Sequence, residues 1–403
     1  MLHQSVVVTG MGAVSAFGWG VSALDAVFDG KSAVQRSHVG SLPGAPEALV
    51  ARLASPLPSN IFDRQVEDAD QVAQAAVFAA HEAMQMAGVN PQSVGMLAWG
   101  TGYGGAFTLD AAYTRLLFGK SDLGGRVSPL TVPKAMTHAS AAGIAAWLKL
   151  TCPVMTYSCA CASSAVAVGE AMLAIASGRC DVALVGGAEA LIVPGVVKAW
   201  ASLGALAQSD AHQNWVGPFD QSRNGLVLGD GAACLVLESA MHAAQRNANV
   251  VASVRGYGHV HDPHCFTHPN AEPQVQAMQA ALRHARADAK HIAYVNAHAT
   301  GTRAGDAAEI AALNTVFGGG RALVSSSKGA TGHLMGAAGA LESIIAIQAL
   351  RTACCPPNVS LNQPDANIRF QLAEKPSPLD AQGLCLTNSF AFGGTNVSLV
   401  FGV

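Results

Sequence analysis

Ser158-Cys159-Ala160-Cys161-Ala162-Ser163-Ser164-Ala165-Val166-Ala167-Val168-Gly169-Glu170-Ala171 is the stretch on which the reading of this chain turns. Cys161 opens a run of small residues with helical character, predicted over 161–175. A cysteine there feels the positive end of the helix dipole, which is expected to lower its thiol pKa. The small neighbours leave room around the sulfur. Residues 331–350 repeat the form: a Gly- or Ala-rich turn after a strand, then a small-residue helix. That echo is faint, and no linker, charge block or low-complexity tract divides the chain.

Outward from these turns, apolar β-branched runs alternate with alanine-rich helical stretches. Strands are predicted at 6–9, 95–99, 181–185 and 292–296, and helices at 70–87 and 272–287. This alternation gives an α/β class of layered architecture. The chain has 403 residues, 50% hydrophobic and only 12% charged. So little charge implies that much surface is covered by another chain. A net charge of -3 gives no basic field for nucleic acid. The longest apolar runs are broken by Glu189 or Glu342, so no membrane span is expected. Met1-Leu2-His3-Gln4 leads almost directly into a strand, so no secretory leader is expected. Nine cysteines without regular spacing fit reduced thiols in a cytoplasm.

Three more segments carry chemistry: Asn296-Ala297-His298-Ala299-Thr300-Gly301-Thr302, Ser327-Lys328-Gly329-Ala330-Thr331-Gly332-His333, and Asn388-Ser389-Phe390-Ala391-Phe392-Gly393-Gly394-Thr395-Asn396. A cysteine can attack a thioester. Two histidines can offer N–H donors to an oxyanion. A lysine can hold a buried charge. In this order the segments resemble the elongating β-ketoacyl-[acyl carrier protein] synthases of the thiolase superfamily, and the resemblance runs almost end to end.

The resemblance implies a thiolase-like duplicated α/β/α/β/α layered fold, with an N-terminal half at 1–250 that carries the cysteine and a C-terminal half at 251–403 that carries the two histidines and the lysine. It implies Cys161 as the acyl-carrying nucleophile, and His298 and His333 as donors to the enolate left when malonyl thioester loses CO2. Lys328 would stay charged and support the site. Phe392 would gate the acyl pocket, with Phe390 beside it, and Thr300 and Thr302 would bond the pantetheine arm. Tyr103 would line the pocket where longer-chain enzymes carry a smaller aliphatic residue. That points to specialised polyene or polyketide elongation. No cofactor or metal is implied. The implied partners are an acyl carrier protein and a second chain, as a homodimer or a heterodimer with a related ketosynthase-like subunit. A non-catalytic chain-length-factor-like subunit is the competing reading, and it would lose the nucleophile.

Several residues carry rival readings. Cys159 could be mistaken for the nucleophile, but counting back from Gly169 selects Cys161. Asp306-x-x-Glu309 fits a helix N-cap, or Glu309 pairs with Lys328. Glu342, inside an apolar helix, needs a partner, and Lys328 is the candidate. His259, His261, His264 and His268 read as a loop rather than a metal site. Gly10-Met11-Gly12 follows a strand, but Ser15 spoils a dinucleotide fingerprint. Ala391 replaces a family glycine and is expected to stiffen the hinge. Basic residues for carrier docking are few: Arg52, Arg64, Lys120, Arg126, Lys134 and Lys198.

Overall fold

The computed structural model describes residues 4–40, 44–54, 58, 62–118, 126–208, 215–264 and 266–403. Strand Val6–Ser15 is buried on both faces, so it reads as a continuous apolar run instead of alternating. It pairs antiparallel with Gly231–Ser239 on one side and with the start of Ala252–His261 on the other. A twelve-stranded sheet extends from this junction in two wings. In the first, Gly231–Ser239 pairs antiparallel with Val182–Glu189, followed in parallel by Met96–Gly100 and Val154–Tyr157. In the second, Ala252–His261 and Leu384–Phe390 both flank Thr395–Gly402 antiparallel. Ile292–Asn296, Leu323–Ser325 and Gln371–Leu372 then follow in parallel. Counted from Val6–Ser15 in the first wing and from Ala252–His261 in the second, two antiparallel pairings are followed by parallel ones, two in the first wing and three in the second.

Helices complete five layers. Gln71–Ala87 and Ala139–Leu148 cover the outer face of the first wing, and Ala271–Ala285 and Arg303–Phe317 cover that of the second. Ser163–Ala176 and Ala338–Arg351 lie between the wings, almost wholly buried in one core. This is an α/β/α/β/α stack. The outer helices begin where side chains can cap them. Asp70 accepts from the Val72 N–H and Asn270 from the Glu272 N–H. The predicted starts therefore mark a cap in one case and a residue inside the first turn in the other.

Gly10-Met11-Gly12 has a packing role. A Cβ on Gly10 would stand 2.1 Å from the Ala83 carbonyl oxygen, and one on Gly12 2.0 Å from that of Ala79. Gly256 and Gly258 meet the carbonyls of Ala281 and Ala277 in the same way, at 2.2 and 2.1 Å. Each pair follows a register shift in its strand, between Val8 and Gly10 and between Val254 and Gly256. Gly-x-Gly on a bulged strand against Ala-x-x-x-Ala on a helix is thus the device by which each half seats its outer helix. It is a clearer trace of duplication than the small-residue helices.

One flank carries exposed apolar side chains: Leu116, Leu117 and Phe118 of Ala106–Phe118, Val132 and Met136 at Thr131–Ala135, and Met155 on the edge strand Val154–Tyr157. Among the described residues no helix is long and apolar enough to cross a membrane.

Gly12→Ala and Gly258→Ala should each destabilise the protein by about 1–3 kcal/mol, through overpacking against a helix backbone. Gly143→Ala, whose Cβ meets only side chains at 3.7 Å within helix Ala139–Leu148, should be neutral or stabilising. Thermal melts of the three variants check this. Equal behaviour would mean that the two helices tolerate displacement.

Candidate active site

The turn that carries Cys161 follows strand Val154–Tyr157. Ala160 takes φ +47°, left-handed for a non-glycine residue, at a cost on the order of 1–2 kcal/mol. Ser163 holds the turn: its hydroxyl donates to the Ala160 carbonyl at 2.6 Å and accepts from the Cys159 N–H at 2.9 Å. Cys161 lies in the short 3-10 turn Ala160–Ala162, just before helix Ser163–Ala176. It is buried, and burial pushes its thiol up to about 12 against the pull of Lys328 and of the Phe392 backbone N–H. The expected lowering by the helix dipole is therefore overruled by desolvation. At neutral pH the thiol keeps its proton.

His333 answers that. Its Nε2 lies 3.0 Å from the Cys161 sulfur. The His298 ring stands edge-on to His333, with centroids 5.3 Å apart. A nitrogen from each ring and the sulfur all lie within 4.8 Å of one another. Burial first, then the charge of Lys328, holds both imidazoles well below their ordinary pKa. Both rings are neutral. Three such donor atoms could also hold a metal, but the ammonium of Lys328 opposes a divalent cation there.

Lys328 begins the one-turn helix Lys328–Thr331 and is buried. Its ammonium donates to Glu342 on the central helix Ala338–Arg351. Burial raises the Glu342 carboxyl and contact with Lys328 draws it down. Glu309 does not pair with Lys328, and Asp306 does not cap a helix; Thr302 is the N-cap of Arg303–Phe317. Instead, both acids hold backbone. Glu309 accepts from the N–H groups of His298 and Ala299 at 2.9 and 2.6 Å, and from the Asn388 side chain at 3.2 Å. Asp306 accepts from Thr300, Gly301 and Phe219 N–H groups. The turn that carries His298 is thereby fixed from beneath.

Cys161, His298, His333 and Glu309 face a cavity of about 590 Å³ that opens to solvent, while Lys328, Glu342 and Asp306 lie behind its wall. Its lining includes Cys161, His298, His333, Thr300, Thr302, Phe390 and Phe392. The Thr300 and Thr302 hydroxyls are 3.1 Å apart, and the Phe390 ring centroid is 6.2 Å from that of His298. Ala391 is not among the residues of positive φ, so its methyl costs the turn nothing; Gly393 and Gly394 supply the turn at +79° and +86°. Tyr103 does not line this cavity. It is 40% exposed, and its hydroxyl accepts from the indole N–H of Trp200, which does line it. Of the four histidines read as a loop, His259 and His261 lie on strand Ala252–His261, and only His268 reaches the cavity.

Sequence reasoning missed three residues. Trp200 is one. Arg303, exposed at the cavity mouth, is another. The third is Glu189, wholly buried, which accepts from the N–H groups of Gly102, Tyr103 and Gly336 and from the Thr101 hydroxyl. An acid interrupting an apolar strand was the available signal, because such a group must find partners.

A buried thiol touching a neutral imidazole, with a second imidazole across one cavity, defines a class of enzymes that carry acyl groups on sulfur. The chain belongs to the beta-ketoacyl synthase family. The Beta-ketoacyl synthase N-terminal domain matches residues 3–243 and the C-terminal domain residues 251–362. Nodulation protein E of Rhizobium meliloti (strain 1021) is 35% identical over 408 residues, 99% of each chain. A 3-oxoacyl-[acyl-carrier-protein] synthase 2 of Coxiella burnetii is 32% identical over 412 residues, again 99% of each. A chain of the solved ishigamide ketosynthase/chain length factor superposes with a TM-score of 0.90 at 28% identity, covering 100% of this chain and 99% of that one. The thiolase-like layered fold and condensation of the ketosynthase type follow from this membership.

With the thiol pushed up to about 12, its thiolate fraction should rise about tenfold per pH unit across the neutral and mildly alkaline range. Iodoacetamide labelling of Cys161, followed by peptide mass, should climb from pH 7 to pH 9.5 without a plateau. A plateau near pH 7 would show that the helix end and Lys328 outweigh burial.

Proposed function

We propose that Cys161 accepts an acyl group and condenses it with malonyl-[acyl carrier protein], with loss of CO2, in specialised polyene or polyketide chain elongation. The contact of 3.0 Å between His333 Nε2 and the Cys161 sulfur carries this reading. In the first half-reaction the thiol proton passes to His333 Nε2, sulfur attacks the acyl thioester, and the departing carrier thiolate takes the proton back. In the second, the malonyl carboxylate leaves as CO2 and the enolate oxygen accepts from the His298 N–H and, after proton exchange with solvent has returned a proton to its Nε2, from the His333 N–H. The enolate carbon then attacks the Cys161 thioester. Its carbonyl oxygen, becoming negative, is met by the Phe392 N–H, and the cysteine sulfur departs as a thiolate that takes a proton from solvent to restore the thiol. Neutral rings suit this cycle, since a neutral imidazole accepts a proton at one step and donates at the next.

The pathway reading rests on aromatic rings near the sulfur. Trp200 and Phe392 stack, and Tyr103 bonds Trp200. A flat conjugated chain gains from such faces, whereas a saturated one must find room beside them. Arg303 at the cavity mouth suits the anionic arm of a carrier protein. Lys134 is engaged with the Asp68 carbonyl, and Lys120 lies outside the described residues. The competing role, a chain-length-factor-like subunit without chemistry, is disfavoured because the thiol, both imidazoles and the buried ammonium converge. We place the enzyme in the cytoplasm, where its eight described free cysteines stay reduced.

The exposed apolar flank and the open edge of Val154–Tyr157 suit a second ketosynthase-like chain, identical or related. That partner would also account for the low charge content of the sequence.

Intact mass after incubation with acyl-carrier proteins tests the chemistry. Cys161→Ala should lose the acyl adduct, and Cys159→Ala should keep it. His298→Ala should cost about 100-fold or more in condensation yet spare self-acylation, while His333→Ala should slow both. Equal loss of both half-reactions in His298→Ala would mean that the ring only supports the fold.

Val132→Asp combined with Met155→Asp should convert the dimer to monomer in analytical ultracentrifugation. A dimer that survives both charges would place the interface elsewhere.

A further inference from the structure

Trp200 joins two segments that come from different parts of the fold. It lies on helix Pro194–Ser202 and is buried. Its indole N–H donates to the Tyr103 hydroxyl at 3.0 Å. Its ring lies nearly parallel to Phe392, with 19° between planes and 5.8 Å between centroids. Phe392 itself is 37% exposed at the tip of its loop, and its backbone N–H draws the Cys161 thiol down against burial. The glycine after it faces open space: a Cβ on Gly393 would meet nothing within 4 Å. The loop over Cys161 is tied at Gly393 by a hydrogen bond from its N–H to the Phe266 carbonyl at 2.9 Å, and the indole face lies against the ring that precedes it.

The other end of this connection is rigid. The Tyr103 N–H is one of the four donors gathered by the buried Glu189 carboxylate, so the backbone that carries Tyr103 is pinned. Tyr103 is off the cavity lining, so its hydroxyl reaches the site only through Trp200.

We propose that Trp200 is a latch: the Tyr103 hydroxyl fixes the indole in the pose that stacks on Phe392, and the pair holds the loop 391–394 closed over Cys161. Chain selection then depends on how far an acyl group must displace that stack. A short acyl group passes beneath it. A longer saturated chain has to separate the rings. A flat unsaturated chain replaces one ring face with its own. Tyr103 and Trp200 are positioning residues here, and the proposal rests on the acyl-carrying role of Cys161 given above.

The test compares Tyr103→Phe, Trp200→Phe and the double variant, each keeping a ring while removing one side of the hydrogen bond. Long saturated and short acyl thioesters compete for Cys161, read by intact mass. Acrylamide quenching of the Trp200 emission, taken as the difference from Trp200→Phe, reports loop opening. Losing one neutral hydrogen bond should raise the long-to-short ratio roughly two- to tenfold. The double variant should add nothing beyond either single change. Tyr103→Phe should also make Trp200 easier to quench. Wild-type ratio and quenching in Tyr103→Phe, with a changed ratio only in Tyr103→Ala, would show that Tyr103 acts by bulk and overturn the latch. Additive effects in the double variant would overturn it as well. If wild-type protein forms no adduct on Cys161, the condensing role fails instead. Quenching of Tyr103→Phe then decides the latch alone, an unchanged value overturning it.

Discussion

An ammonium buried near the centre of the molecule governs the chemistry around it. Lys328 has left water, and Glu342 on the central helix is the group that compensates it. Breaking such a pair leaves an unpaired interior charge, at a cost of about 3–5 kcal/mol. The same ammonium, with burial, keeps His298 and His333 neutral. It also offsets part of the desolvation that keeps the Cys161 thiol protonated. Burial first, and this one cation second, thus bias the protonation of three groups at the site.

The other buried acids work differently. Glu189, Glu309 and Asp306 gather backbone N–H groups from turns, and they do so where no water is needed to satisfy those donors. Each turn so held presents something the site uses: Tyr103, His298, or the threonines of the cavity wall. Small residues make this density possible. The two central helices lie between two sheet wings, and the Gly-x-Gly bulges bring each outer helix close to its strand.

Against this fixed frame the cover proposed above is more lightly packed. The Phe392 loop turns on two glycines at positive φ, and its ring leans on Trp200 instead of being packed into the core. Chemistry that must exclude water and yet admit a long chain needs such a division between rigid donors and a movable cover.

The sequence by itself determined the layered class and pointed, through the family that its four segments resemble, to the duplication and to the side chains proposed to react. Periodicity and small-residue runs are local, and four short segments hold their residues at fixed spacing. Pairing Lys328 with Glu342 was legible too, because an acid inside an apolar helix has few possible partners. Only tertiary structure decided the roles that depend on meetings across the chain. Cys161 and His333 stand 172 positions apart and touch at 3.0 Å. The helix-end reading of the thiol failed because desolvation depends on how many layers cover the sulfur, which no local pattern records. The capping reading of Asp306 and Glu309 failed because their partners are the backbone of a neighbouring turn. Tyr103 was placed by its own loop, but its reach into the site runs through Trp200, a residue whose ring direction is set by packing alone.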